Sequence, residues 1–560
     1  MFTDERAAPH AGPTGARPAC QTSAVDLNGN LADLVTAAAR RGPDHPAFVD
    51  PVREQALSWA AFQAAMDAEA ARLLDAGVRP GDRVLVRLRQ GVALCVALLG
   101  ALRAGAVVVP TGTQSTAREL AVIVADCAPS VVVSESDDDI VTTVVSTPTT
   151  GATNGQGGPA VVLGPPTLDP PAPASTAGSS GGPARGQRGG EDLAVLGYTS
   201  GTTGVPRGVL LSHRALLANR AQAGSLRPIP ISPADRVLLH LPLFHMYGLG
   251  AGLLQVCWAG ATGVLVDRVD PGEVLSAIER ERVTVVAGVP SMFRVLLELP
   301  PERLREGLAT VRLCTAGGAP LPPDLLRRFN DVTGLELFEG YGLTEAGPVL
   351  TTALVSGKPK PGSAGRPLPG VELRLVDAST GEPLGGTDDA SRDDEDGLGS
   401  DGDGYDTGLV SVRGPNLFSG YWPDGADGPD EDGWFRTSDV GYLDSDGDLY
   451  LVDRAPDLII VNGFNVYPHE VEQVLAENGA IAEAAVVGVP DERTGEALMA
   501  VLVLRAGASL TVEEVRAHCA AGLARFKIPT VVEFVDHLPR SATGKITRAA
   551  LRAVRGSGGK

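Results

Sequence analysis

The chain has 560 residues, 43% of them hydrophobic and 21% charged, proportions that exclude wholesale disorder. Its length predicts two or more domains. Its formal net charge of −21 argues against a nucleic-acid binder, whose affinity comes from Lys and Arg neutralising phosphates.

Residues 1–27 read as a disordered tail, and nothing in 1–26 is apolar enough for a signal-peptide core. A helix is predicted over 31–41, with Asn30 as its cap. Arg83–Leu88 and Ala106–Val109 read as buried strands on either side of an apolar helix, Val92–Arg103. This alternation is the pattern of a parallel sheet covered on both faces. Residues 146–190, rich in Gly, Pro, Ser, Thr and Ala, interrupt it as a flexible insertion. The pattern resumes with strands at Leu193–Tyr198, Val237–Leu239, Thr262–Val266, Val283–Ala287 and Val311–Cys314. Helices are predicted between them at 212–223, 248–257, 272–281 and 291–298.

Val237–Val266 has no Asp, Glu, Lys or Arg and is long enough to span a membrane. Pro242, His240, His245 and five glycines argue instead for a buried strand–turn–helix–strand unit, so no transmembrane segment is expected. From 362 the chain turns β-rich. Segments 388–406 and 424–432 hold fourteen acids against one base, Arg392, and so most of the net charge. Asp401-Gly-Asp403-Gly lacks the spacing and closing Glu of a calcium loop, and 385–407 reads as a solvated acidic loop. A domain boundary is placed at 453–457, giving a large domain over 28–453 and a small α+β domain over 454–560. Six scattered cysteines without a C-x-x-C pair point to reduced thiols in a cytoplasmic protein.

Tyr198-Thr-Ser-Gly-Thr-Thr-Gly-Val-Pro-Arg-Gly208 follows a predicted strand and precedes a helix. Its glycines would let backbone N–H groups approach an anion, its hydroxyls would donate, and Arg207 adds charge, all suited to polyphosphate. A polar glycine turn is the alternative, and no G-K-[ST] closes the segment as in a Walker loop. Tyr341-Gly-Leu-Thr-Glu345, Trp434-Phe-Arg-Thr-Ser-Asp439, Asp453-Arg454 and Pro539-Arg-Ser-Ala-Thr-Gly-Lys545 follow in that order.

Together these segments resemble the adenylate-forming superfamily of acyl-CoA synthetases, peptide-synthetase adenylation domains and luciferases, over about residues 28–555. Leu241-Pro-Leu-Phe-His-Met-Tyr-Gly248, Gly365–Gly370, Arg413–Tyr421 and Leu458–Pro468 resemble bacterial fatty-acid–CoA ligases in particular. The fold implied is α/β. It has a large N-terminal adenylate-forming domain, of parallel sheets with helices plus a β-rich subdomain, and a small mobile α+β C-terminal domain.

The activity implied is ATP-dependent conversion of a carboxylic acid, a medium- or long-chain fatty acid, to acyl-AMP and then to a CoA thioester. Transfer to an acyl-carrier-protein thiol is the alternative, and a non-catalytic relative a third reading. The resemblance implies that Lys545 bridges carboxylate and phosphate, that Glu345 holds Mg²⁺ and that Thr344 bonds the α-phosphate. It places His245 at the mouth of the acyl pocket. Thr199, Ser200, Gly201, Thr202, Thr203, Gly204 and Arg207 would surround the phosphates. Gly318, Ala319, Glu339, Gly340 and Tyr341 would bind the adenine side, and Asp439 and Arg454 the ribose. Arg207, Ser438, Leu409 and Pro456 depart from the family pattern. Arg207 replaces a Lys, Ser438 replaces a Gly beside Asp439 and is expected to tighten the ribose site, and Leu409 replaces a Glu. Pro456 stands at the hinge between domains, where its fixed φ would restrict a swing.

Overall fold

The computed structural model describes residues 26–146, 160–168, 188–200, 206–267, 270–378, 380–384, 407–454, 459–461, 464–466, 468–491, 495–523, 525–540 and 546–554. Residues 1–25, all but 407 of the acidic loop, Gly201, Thr202, Thr203, Gly204, Pro456 and Lys545 lie outside them.

Short runs of valine build the first sheet. Arg83–Arg87, Val107–Pro110 and Val131–Ser134 are buried almost throughout, as strands covered on both faces must be. Among the described residues this sheet runs Val161–Leu163, Val131–Ser134, Arg83–Arg87, Val107–Pro110, Leu193–Ser200, Pro206–Ser212. Each neighbour is parallel except the last, which returns antiparallel. Val161–Leu163 corrects the expectation that 146–190 is insertion throughout: three apolar residues in a Gly- and Pro-rich stretch add an edge strand to Val131–Ser134.

A second, nine-stranded sheet runs Arg366–Pro367, Val349–Thr352, Leu337–Gly342, Leu313–Gly317, Val285–Gly288, Arg236–Leu239, Thr262–Leu265, Pro46–Asp50, Gln55–Ser58. Its six middle strands, from Leu337–Gly342 to Pro46–Asp50, are parallel. The helix Val92–Arg103, buried over nearly its whole surface, shares one apolar core with strands of both sheets and with the helix Trp59–Asp75. An antiparallel sheet of Glu372–Val376, Gly408–Arg413, Trp434–Leu443 and Leu449–Arg454 follows. The next strand, Ile459–Val461, belongs to a separate sheet with Phe464–Val466, Gly495–Leu504, Ile481–Asp491 and Val531–Phe534, which has its own apolar core. The fold is therefore mixed α/β, with a large N-terminal domain and a smaller C-terminal one.

Two local expectations change. The helix expected over 31–41 begins at Asp33, after a turn that Asn30 opens with its Oδ1 accepting from the Ala32 N–H at 2.8 Å. The helix expected over 248–257 is a π-helix, Tyr247–Leu254, continued by an α-helix, Gln255–Ala259. Close packing needs its glycines, since a Cβ on Gly250 would lie 2.5 Å from Cδ of Pro348. The charge-free run 237–266 is thus a buried strand–helix–strand unit, and among the described residues no helix is long and apolar enough to cross a membrane.

Candidate active site

The site lies at the carboxyl ends of parallel strands in the nine-stranded sheet, where open α/β sheets bind ligands. Leu313–Gly317 and Leu337–Gly342 are neighbours there, with Ala316 opposite Glu339 and Gly317 opposite Gly340. Beyond Gly317 the chain turns at Gly318, whose φ of +79° is in the region that favours glycine. Ala319 follows, and the Leu321 N–H donates to Glu339 Oε1 at 3.0 Å. Glu339 is buried, and among the described residues its Oε2 has no hydrogen-bond partner. Burial pushes this carboxyl up to about 8. Glu339 therefore ties the turn 318–321 to the strand behind it, making one wall.

Tyr341 joins this wall to the antiparallel sheet. Its hydroxyl donates to Asp439 Oδ2 at 2.6 Å. Asp439 is buried on Trp434–Leu443, its N–H donating to Thr437 Oγ1 at 3.1 Å. Arg454 stands directly opposite Asp439 in the register of Leu449–Arg454. The two residues expected at the ribose are thus cross-strand neighbours.

Thr344 and Glu345 open a short 3₁₀ turn. Thr344 packs on the first sheet at Gly197, where a Cβ would lie 3.3 Å from Thr344 Cγ2. Glu345 Oε1 accepts from the Tyr421 hydroxyl at 2.7 Å, and its carbonyl accepts from the Phe418 N–H at 2.9 Å. Among the described residues Glu345 forms no ion pair. It therefore fits a hard cation: an oxygen ligand whose charge no neighbouring base neutralises.

The turn is gripped from behind by a buried polar network. Arg220, 1% exposed, donates to the carbonyls of Gly250 at 2.8 Å and Gly347 at 3.2 Å. Asn219 brackets Val349 through its N–H at 3.1 Å and its carbonyl at 2.7 Å. Asn416 donates to the Ala346 carbonyl at 2.9 Å. Burial brings the Arg220 guanidinium down to about 9.

The glycine-rich segment is a correction. Its described ends pair as antiparallel strands, with Thr199 opposite Arg207 and Ser200 opposite Pro206, so a second strand and not a helix follows it directly. The helix His213–Gly224 begins only after the second strand. Arg207 lies 3.8 Å from the centroid of the Tyr421 ring and pairs with Asp427 at 2.7 Å.

His245 is half-buried just before the π-helix, its Nδ1 accepting from the Tyr247 N–H at 3.2 Å. The Tyr247 ring packs on Gly317, where a Cβ would lie 3.3 Å from the Tyr247 hydroxyl, and burial pushes that phenol up to about 12. Ser438 is a second correction: it is exposed, on the face of its strand opposite Asp439, and does not tighten the ribose site. Leu409 is buried with Val376 and Val440, a small apolar cluster that explains a leucine there.

Sequence reasoning missed the contacts of Tyr421, though it lies in a segment quoted for the resemblance. It also missed Asp444, Asp446 and Asp448, a possible cation cage; the Lys360 ammonium lies 2.7 Å from all three carboxylates and serves as its cation.

Residues 35–422 match the AMP-binding enzyme family, and residues 470–545 match the AMP-binding enzyme C-terminal domain. The chain belongs to this family. Its similarity to a long-chain-fatty-acid–CoA ligase of Bacillus subtilis (strain 168) is 38% identity over 64% of this chain and 61% of that protein, so the match spans about three-fifths of this relative. A feruloyl-CoA synthase of an Amycolatopsis species is 36% identical over 89% of this chain and 94% of its own length. Among solved structures of the family, ATP-bound MatB from Rhodopseudomonas palustris is 32% identical and superposes with a TM-score of 0.81, covering 94% of this chain and 99% of that one.

Proposed function

We propose that this AMP-binding enzyme is an acid–thiol ligase. A carboxylate oxygen attacks the α-phosphorus of ATP, and pyrophosphate leaves; a CoA thiolate then attacks the acyl carbonyl, and AMP leaves. The observation that carries the reading is the Tyr341–Asp439 hydrogen bond of 2.6 Å, which brings the adenine and ribose candidates to the turn bearing Thr344 and Glu345. Asp439 accepts from the ribose hydroxyls and Arg454 donates to them. Tyr341, Gly318, Ala319, Glu339 and Gly340 form the adenine side. Thr199, Ser200, Gly201, Thr202, Thr203, Gly204 and Arg207 surround the phosphates. Glu345 holds Mg²⁺, which supplies neutralising charge at the phosphate oxygens. Lys545 bridges the anionic reactants, and His245 lines the entry of the acid.

The chain divides at 453–457, where the antiparallel sheet gives way to the C-terminal one. A cytoplasmic location accords with buried, unpaired thiols at Cys95, Cys127, Cys257, Cys314 and Cys519. The acid is a medium- or long-chain fatty acid, with an aryl acid as the rival, since the relatives above include both kinds.

The deciding experiment is a panel of fatty and aryl acids assayed in parallel for ATP–pyrophosphate exchange and for CoA thioester. Both signals with a fatty acid are expected. Exchange without thioester would move the acceptor to a carrier-protein thiol, and neither signal with any acid would overturn the reading.

A further inference from the structure

Tyr421 carries no role in the scheme above, yet its side chain touches two residues that do. We propose that Tyr421 is a positioning residue: it sets the Glu345 carboxylate for a divalent cation and the Arg207 guanidinium for phosphate. The inference rests on the adenylation reading.

The ring is held firmly. The Tyr421 N–H donates to the Ala426 carbonyl at 2.9 Å, and its own carbonyl accepts from the Gly425 N–H at 2.7 Å. Tyr421 also forms an antiparallel bridge with Val209 of the hairpin. Phe418 meets the ring edge-on at 5.1 Å and is itself 2% exposed, packed edge-on against Phe435 at 4.8 Å. A ring so enclosed has little room to swing.

Its two ends do different work. The hydroxyl donates to Glu345 Oε1 at 2.7 Å. A carboxylate only accepts, so the phenolic hydrogen is committed to this bond, while the other lone-pair sites of Glu345 remain for a cation. The face of the ring supports the Arg207 guanidinium 3.8 Å from its centroid. A planar guanidinium stacks there as a compact ammonium would not, which accounts for Arg at a position where the resemblance leads one to expect Lys. The ring therefore touches both groups, the cation by its face and the anion by its hydroxyl.

The test compares wild type, Tyr421→Phe and Tyr421→Leu by calorimetric ATP binding with and without Mg²⁺, and by the Mg²⁺ dependence of pyrophosphate exchange. Tyr421→Phe keeps the ring and loses the hydroxyl. It should bind ATP without metal within about twofold of wild type, while the Mg²⁺ needed for half-maximal exchange rises about tenfold, as for other groups that orient a metal ligand. Tyr421→Leu should show that rise and also bind metal-free ATP several-fold more weakly, as the cation–π contact is lost. Unchanged Mg²⁺ dependence in Tyr421→Phe would overturn the proposal, as would wild-type metal-free ATP binding in a folded Tyr421→Leu. If Tyr421→Leu does not fold, Tyr421→Phe alone decides. If wild type binds no ATP, the adenylation reading falls and this inference with it. If wild type binds and exchanges while the variants match it, only the role of Tyr421 falls.

Discussion

On one side of the site, Leu313–Gly317 and Leu337–Gly342 set a buried Glu339 against a backbone N–H, with no charged partner among the described residues. On the other, the hairpin Leu193–Ser200 and Pro206–Ser212 and the segment 418–427 set half-exposed charges against an aromatic ring. The two glutamates, Glu339 and Glu345, lie six residues apart and have opposite surroundings. Burial drives Glu339 towards its neutral form. Glu345 instead accepts from a hydroxyl. One side is built for shape and the other for charge, as the proposed purine and polyphosphate sites would require.

The largest expected effect tests the charged side. Glu345→Gln keeps an oxygen to accept from Tyr421 and removes the negative charge. Pyrophosphate exchange should fall about 100-fold or more, beyond the usual loss for a group that merely orients a metal ligand. Thermal unfolding should change by no more than about 0.5 kcal/mol, since no ion pair is broken among the described residues. Near-normal exchange would show that Glu345 holds no catalytic cation.

Asp439 lies between the two sides, and the next effect belongs to it. Asp439→Asn can still accept from Tyr341, but it has one acceptor oxygen where two ribose hydroxyls need two. A hydrogen bond to a charged group contributes about 1.5–3 kcal/mol, so KM for ATP should rise roughly 10-fold to 100-fold. KM for the acid should stay within about twofold. Steady-state kinetics with each substrate varied separates the two, and an equal rise in both would remove Asp439 from the ribose site.

The buried side is tested by pH. The Glu339 carboxyl is raised from 4.5 to about 8 in the folded protein. Between those values the folded state holds a proton that the unfolded state has released, so stability falls as pH rises through this window and levels above it. At roughly 1.4 kcal/mol per unit, the cost above pH 8 is a few kcal/mol. Glu339→Gln removes the titration while keeping an acceptor for the Leu321 N–H. Its melting temperature should match wild type near pH 5 and exceed it by several degrees near pH 8.5. Parallel curves for the two proteins would mean that Glu339 is solvated.

The two sides also differed in how far the sequence disclosed them. Apolar runs at 84–86 and 107–109 are what a strand buried on both faces demands, and they are found in parallel strands, whereas the run 131–133, which forms another, was not read as one. The Asp439–Arg454 pairing follows from two segments that could be read separately, because a hairpin sets the register between them. The Ala-rich helix Trp59–Asp75 left a weak periodic signal, since alanine suits either face. The π-helix looked like an ordinary helix, because its run of apolar residues and glycines suits either. The contact of Tyr421 with Glu345 joins positions 76 apart, and that of Arg207 with Asp427 joins positions 220 apart. Such contacts are set when the hairpin meets the segment 418–427, and no local pattern encodes them. Arg220 was hidden for a related reason: an arginine whose described partners include backbone carbonyls and amide oxygens has no acidic residue in the sequence to signal it.

The smallest effect is expected at the outer edge of the charged side. Asp427 is 70% exposed on its side chain and pairs with Arg207 at 2.7 Å. Its backbone is left-handed, with φ of +54°, a conformation that costs most residues energy and that Asn and Asp tolerate best. Asp427→Asn therefore removes the charge without adding backbone strain, where Asp427→Ala would change both. Exposed ion pairs contribute about 0–1 kcal/mol and are screened by salt, so melting should scarcely move. Arg207 keeps its stack on Tyr421, which does not depend on Asp427. Relieved of a neighbouring carboxylate, it should attract phosphate slightly better, lowering KM for ATP by up to about threefold at low salt and hardly at all at high salt. KM for ATP measured at two ionic strengths on both proteins checks this. A large loss of affinity would mean that Asp427, and not the ring, holds Arg207 in place, and the division between a side built for shape and a side built for charge would then extend to the acidic segment 424–432.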